Sequence, residues 1–278
     1  MTKQILCVGV LALAVQACLA QTSSGPLGTP VVGIVREPDH TLRPVYGVAG
    51  NLITGQPLAL RDVRAVSFSD EAGIVLSSGA VRLVNLDGTE RSSYPTAESQ
   101  PVLSISQGPE TAVAWLPSEQ KLIRWTSAGF VSLPVDASQL AGPIVALQMS
   151  AAASVDLWLR AQTDTIQHVR VSLPGGAIAP LETTAVDSPI FVTGTALISS
   201  GTDGLQIQSS PAQTHALPLN LSAVELAALT FERASSHWIH ITSALAGRQW
   251  MLRLGAPSPS LCVLPAAISS TQGIGVNQ

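Results

Sequence analysis

Residues 63–95, VRAVSFSDEAGIVLSSGAVRLVNLDGTERSSYP, alternate apolar runs with short polar turns: strand, turn, strand, Gly/Ser turn, alternating strand, Asp-Gly turn, and a short strand ending at Pro95. Residues 102–134, VLSISQGPETAVAWLPSEQKLIRWTSAGFVSLP, repeat the same order of elements. Apolar runs of this length, bounded by Gly, Ser, Asp and Pro, predict short β-strands. No stretch sustains a long 3.6-residue period. The best helical candidate, LSAVELAALT from Leu221 to Thr230, is short, and its second half reads equally well as a buried strand.

The same grammar recurs from Ile144, from Pro189 and from Val224, and in a shorter form from Val31. Repeat starts spaced roughly 35 to 45 residues apart match four-stranded propeller blades. The pattern therefore predicts an all-β chain: a β-propeller of four-stranded antiparallel blades, six in number, or seven if terminal strands complete another. N- and C-terminal strands would close the ring, because closure protects the first and last sheet edges. A two-layer sandwich is the architectural alternative. Sheets stacked face to face bury both faces, which accounts for strands as uniformly apolar as AVAWL and VDLWL.

FSDEAGIVLSSGAVRLVNLDG, and less closely GTALISSGTDGLQIQ from Gly194, resemble the middle of WD40-like and YVTN-type propeller repeats, in which an Asp/Gly turn separates the second and third strands. TLRPVYGVAGN is similar to a segment of exported bacterial propeller-like proteins whose activity is not assigned. The likeness covers about 230 residues as layout. It implies a binding repeat protein rather than a particular chemistry. The chain departs from the WD40 pattern in lacking a Trp-Asp dipeptide and a Gly-His opening, and it carries no Asp-box, which removes the simplest argument for a sialidase-like enzyme.

Composition sharpens the class. Apolar residues make up 46% and charged residues 12%, with mean hydropathy +0.35, which argues for a packed chain over a disordered one. The 14 basic residues include only two lysines, Lys3 and Lys121, and form no cluster, so no nucleic-acid partner is expected. The opening MTKQILCVGVLALAVQACLAQ reads as a secretory signal peptide over residues 1–20, followed by a Gly/Pro/Ser linker at 21–30, the propeller at 31–266 and a polar tail at 267–278. An exported protein, periplasmic or extracellular, follows from that leader. Val15-Gln16-Ala17-Cys18 also resembles a lipobox, making Cys18 a candidate lipidation site and the one route to a membrane, as an outer-membrane-anchored lipoprotein. Outside the leader Cys262 stands alone, so no internal disulfide is expected.

Candidate chemistry is sparse. There is no G-x-S-x-G elbow, calcium loop or phosphate-binding Gly motif. His237 and His240 in SHWIHI are the one local histidine pair, at a spacing that points them to opposite faces of a strand. The acids Asp62, Asp70, Glu71, Asp87, Asp156, Asp164 and Asp203 fall singly, mostly at turns; Asp87-Gly88 and Asp203-Gly204 have tight-turn composition. Of five tryptophans, Trp125 and Trp238 are the candidates for a ligand face, together with His237 and His240. No catalytic, metal or cofactor residue is assigned and no cofactor is expected. The functional expectation is a monomeric binding or scaffolding module for a protein, small-molecule or carbohydrate ligand. The alternatives are a propeller-type hydrolase, lyase or lactonase, and an envelope-anchored assembly lipoprotein.

Overall fold

The computed structural model describes residues 29–265 except 152, 163–164, 174, 186–189, 195, 211–212 and 256–257. The leader with Cys18, most of the linker, Asp164 and the C-terminal tail lie outside the described residues.

Strands β1 (Val31–Arg36), β2 (Leu42–Val48) and β3 (Asn51–Thr54) form a three-stranded antiparallel sheet. Five four-stranded meanders follow. The first is β4 (Val63–Phe68), β5 (Gly73–Ser77), β6 (Ala80–Val84) and β7 (Glu90–Pro95); the second is β8 (Val102–Ser104), β9 (Val113–Leu116), β10 (Lys121–Thr126) and β11 (Gly129–Leu133). The third comprises β12 (Ile144–Ala151), β13 (Ser154–Gln162), β14 (Thr165–Ser172) and β15 (Ile178–Ala185). The fourth comprises β16 (Ile190–Thr193), β17 (Ala196–Ser200), β18 (Gly204–Ser210) and β19 (Gln213–Pro218). A short helix, α1 (Ala223–Ala227), precedes the last: β20 (Leu229–Arg233), β21 (Trp238–Ser243), β22 (Arg248–Arg253) and β23 (Ser260–Leu264). None of the described helices is long and apolar enough to cross a membrane.

The segment read as ambiguous resolves into both elements. Ser222 caps α1 by accepting from the Glu225 N–H, while the Glu225 carboxylate accepts from the Ser222 backbone, a reciprocal capping box. Thereafter the apolar run continues as β20. Asp87-Gly88 forms the turn between β6 and β7: Thr89 donates from its N–H (2.9 Å) and hydroxyl (2.6 Å) to Asp87 Oδ1, and Gly88 takes a φ of +84°.

The arrangement is propeller-like and all-β, but the expected count of six or seven separate blades does not hold. Hydrogen bonding gives four sheets of four or more strands, because β4 and β20 pair in parallel at Ser67 and Arg233 and fuse the first and last meanders into one eight-stranded sheet. The N-terminal unit stops at three strands. After β3 the chain stays alongside β2, with Gly55 N–H donating to Pro44 O and Leu58 N–H to Leu42 O, and runs directly into β4.

Apolar faces meet between the first and second, the second and third, and the fourth and last meanders. Ile74, Leu76, Val81 and Leu83 pack on Ile105, Ala114, Leu116 and Ile123. Val113, Trp115 and Leu122 pack on Leu147, Val155, Leu157 and Val171, and Ile198, Leu205 and Ile207 on Ile239, Ile241, Trp250 and Leu252. Each of the Val, Leu and Ile side chains among them contributes about 1.5–3 kcal/mol on burial.

Closure rests on the three-stranded sheet. One set of its side chains, Val32, Val35, Val45 and Leu52, packs against Trp238, Met251 and Leu264 of the last meander. Ile34 and Leu42 pack on Val63, Val66 and Phe68 of the first. The expected ladder between N- and C-terminal strands is replaced by cross-links: Ile34 N–H to Ala234 O at 2.9 Å, Ser235 Oγ to Val32 O at 2.8 Å, and an Arg36–Glu232 ion pair at 2.7 Å. A loop-borne carboxylate adds a further tie. Glu98 accepts from the N–H groups of Ser99, Gln100 and Ser118 and from the Ser118 hydroxyl, joining the segment before β8 to the β9–β10 turn.

Gly33 is required where β1 meets the last meander. A Cβ there would lie 2.5 Å from the Ala234 carbonyl oxygen and 2.8 Å from its carbon, and backbone cannot swing aside as a flexible side chain can. Gly33→Ala should therefore destabilise the fold by about 1–3 kcal/mol, as overpacking does. Equilibrium urea denaturation checks it: an unchanged midpoint would show that β1 is not pinned to Ala234.

Candidate functional site

The inner strands β8, β12, β16 and β20 end at the same side of the molecule, and a cleft of about 1190 Å³ opens there. Ser106 and Gln107 beyond β8, Gln148 and Ser150 of β12, Thr193 and Gly194 at the end of β16, and Arg233 of β20 line it along the strand ends. Three hairpins form the wall: the β10–β11 hairpin with Arg124 and Trp125, the β18–β19 hairpin with Gln213 and His215, and the β22–β23 hairpin with Gly255. Antiparallel meanders produce this grouping, since alternate turns of every meander return to the same end.

Arg233 is the most buried charged side chain of the lining, 4% exposed. Its Nη2 donates to Thr193 Oγ1 across the gap between β20 and β16. Burial pushes the guanidinium down to about 10 against the opposing pull of the Asp70 charge, so it stays cationic at neutral pH. Asp70 itself accepts from the Ser236 N–H at 3.1 Å. Trp125 pairs with Phe130 across its hairpin and packs partly on the core between the first two meanders, and its buried Nε1–H has no acceptor among the described residues. Gly194 N–H donates to Gln148 Oε1 at 2.9 Å, tying β16 to β12 at the rim.

Of the four ligand-face candidates, Trp125 and His237 line the cleft. Trp238 and His240 do not. Two residues apart on β21, both point inward. Trp238 (8% exposed) belongs to the closure core, with the Arg253 guanidinium carbon 6.0 Å from its ring centroid. His240 (1% exposed) sits in a polar network, Nε2 3.0 Å from Gln249 Oε1 and Nδ1 3.9 Å from Glu232 Oε2; Gln249 in turn donates to Glu37. His237 and His240 are thus separated, as their spacing requires.

Among the described residues the candidate acids do not gather into one site. Asp62 lies 3.4 Å from Arg64 on the surface, and Asp203 turns the chain between β17 and β18, its carbonyl accepting from Leu219 N–H. Asp156 is held on the third meander by a bidentate contact from Arg170 (2.7 and 3.1 Å), with His168 Nε2 at 3.7 Å; the His168 ring stacks on Trp158 at 4.5 Å between centroids. Among the described residues no three His, Cys, Asp or Glu side chains gather as a metal site. Sequence inspection passed over Arg233, Thr193 and Gln148; His215 is legible there only as one of three histidines, with His40 and His168, that fall in different units near turns or strand ends. The available signal was Arg233 itself, a charge closing the mixed strand LTFER, but nothing local says which strand ends meet.

No family model matches the chain, and no curated protein matches it in sequence. Among solved structures it is similar to PorZ, a surface component of the type-IX secretion system of Porphyromonas gingivalis, at 12% identity and a TM-score of 0.44, over 86% of this chain and 33% of that one. The chain thus spans about a third of that PorZ chain. It is also similar to a Bacteroides uniformis protein provisionally assigned as a 6-phosphogluconolactonase (12% identity, TM-score 0.43, 82% of this chain and 78% of that one). Hydrazine synthase of Kuenenia stuttgartiensis matches at 12% identity and a TM-score of 0.43, over 84% of this chain and 80% of that one.

Burial raises the Asp156 carboxyl, but the hydrogen bonds and charges of His168 and Arg170 outweigh it and hold it down at about 2. A carboxylate depressed below its unfolded value stabilises the fold above about pH 4, and that contribution is lost as pH falls through about 2. Asp156→Asn should therefore be less stable than the parent at pH 7, on the order of 1–2 kcal/mol after discounting for the half-exposed Arg170. Urea midpoints measured between pH 7 and pH 2 should converge at the acid end; a gap that is constant with pH would show the loss to be one of packing.

Proposed function

We propose that the chain is an exported β-propeller that serves as a binding or scaffolding module, with its ligand seated in the cleft at the ends of β8, β12, β16 and β20. The supporting observation is the cleft itself: about 1190 Å³, drawn from four inner strand ends and three hairpins, with stacking, donating and accepting side chains converging on it. Ligand sites for small molecules are concave spaces of about 300–1,000 Å³ with a few convergent polar groups, so the space suits a small ligand or the tip of a larger one. Rigid meanders hold the strand ends, while the residues between them set specificity. Export is the reading of the apolar leader.

Ligand-observed NMR against a library of sugars, amino acids and short peptides tests the proposal. Ser150, exposed at the rim, is replaced by Trp to fill the opening. Compounds that bind the parent should lose at least about tenfold in affinity with Ser150→Trp, the effect expected when a packed contact is sterically blocked, while circular dichroism stays that of the parent. Binding untouched by the plug would move the ligand site elsewhere; turnover of a bound compound would make the protein an enzyme.

A further inference from the structure

The cleft carries an unbalanced charge at its most enclosed point. Arg233 has no ion-pair partner among the described residues, and one hydroxyl, that of Thr193, takes up one of its five N–H donors. A guanidinium buried to 4% exposure is ordinarily paired with carboxylates, because desolvation of the cation exceeds what a single neutral acceptor returns. The carboxylate whose charge it feels, Asp70, lies beyond ion-pair distance and accepts from the Ser236 N–H. Trp125 adds a second observation, since its Nε1–H is a buried donor without an acceptor in the same wall. Donors in excess, with one fixed cation, describe a receptor for acceptor oxygens.

We propose that the ligand of this cleft carries an oxyanion, a carboxylate or a phosphate on a small polar body, and that Arg233 receives it. This rests on the reading of the cleft as the ligand site. A planar guanidinium with free N–H groups binds either oxyanion bidentately, so the two share one chemistry at Arg233. Thr193 is the positioning residue: its hydroxyl fixes one edge of the guanidinium against β16 and leaves the remaining donors to the cleft.

The test uses the full chain with three probes of similar size at fixed ionic strength: glucuronate, glucose 6-phosphate and glucose, titrated by calorimetry. At least one anionic sugar should bind about tenfold or more tighter than glucose. Arg233→Met should weaken that anion by about 30-fold or more, as truncating one side of a desolvated charge pair does, with glucose unaffected. Arg233→Lys, which keeps the charge and loses the fork, should fall between the two and covers the case in which the Met variant does not fold. Thr193→Val should reduce anion affinity only a few-fold. Which anion is preferred separates carboxylate from phosphate ligands. Equal binding of all three sugars, no saturable binding of either anion, or anion binding indifferent to Arg233 would overturn the inference, and in that last case Arg233 is a tether between β16 and β20. The Ser150→Trp plug keeps the two readings apart: if glucose binding is lost with the plug but no probe depends on Arg233, the cleft stands and the oxyanion falls. Anion binding that survives the plug overturns the cleft reading.

Discussion

Burial of both faces of the central strands of the meanders, with the outermost strands left largely exposed, is the constraint from which the rest of the structure follows. A sheet with two buried faces has nowhere to satisfy its backbone except in its own ladders, so every meander must be a complete antiparallel unit with its turns at the ends. Strands such as β5 and β9, buried along their whole length, are the result. Polar residues are displaced to the turns and to the ends of the inner strands. The same constraint makes the first and last units depend on each other, since each would otherwise expose an apolar face.

How that last gap is filled distinguishes this chain from a set of equal repeats. The three-stranded sheet contributes apolar side chains both to the last meander and to the first, and the contact is close enough to require glycine at position 33. Around it lie polar groups that side chains partner across the chain: Arg36 with Glu232, Gln249 with Glu37 and with His240. His240 is accounted for by this network, as Trp238 is by the closure core. The polar cleft and the polar closure network are therefore different places with different work. The first is open to solvent and has donors to spare, while the second is sealed and largely spoken for from within.

The repeat pattern was legible because it is local. Val63, Val102 and Ile144 begin strands as the alternation predicts, and the Asp87-Gly88 turn follows from its two residues alone. The mixed character of Leu221–Thr230 was legible too, as a helix followed by a strand. The number of blades was not, because fusion of β4 with β20 is decided by one parallel pairing between residues 166 positions apart. The site was legible in part: Trp125 and His237 stand in the cleft wall, yet Arg233, its most buried charge, looked like the ordinary end of a strand.

Sequence by itself determined the all-β class, the length and order of the strands and the turns between them, since these depend on side-chain period and backbone preference within a few residues. Tertiary structure decided which sheet edges fuse, which of two neighbouring aromatic and histidine residues faces the core, and which strand ends converge on one cleft. Those outcomes depend on the packing of meanders far apart in the chain, and on whether a buried charge such as Arg233 finds a partner when they meet.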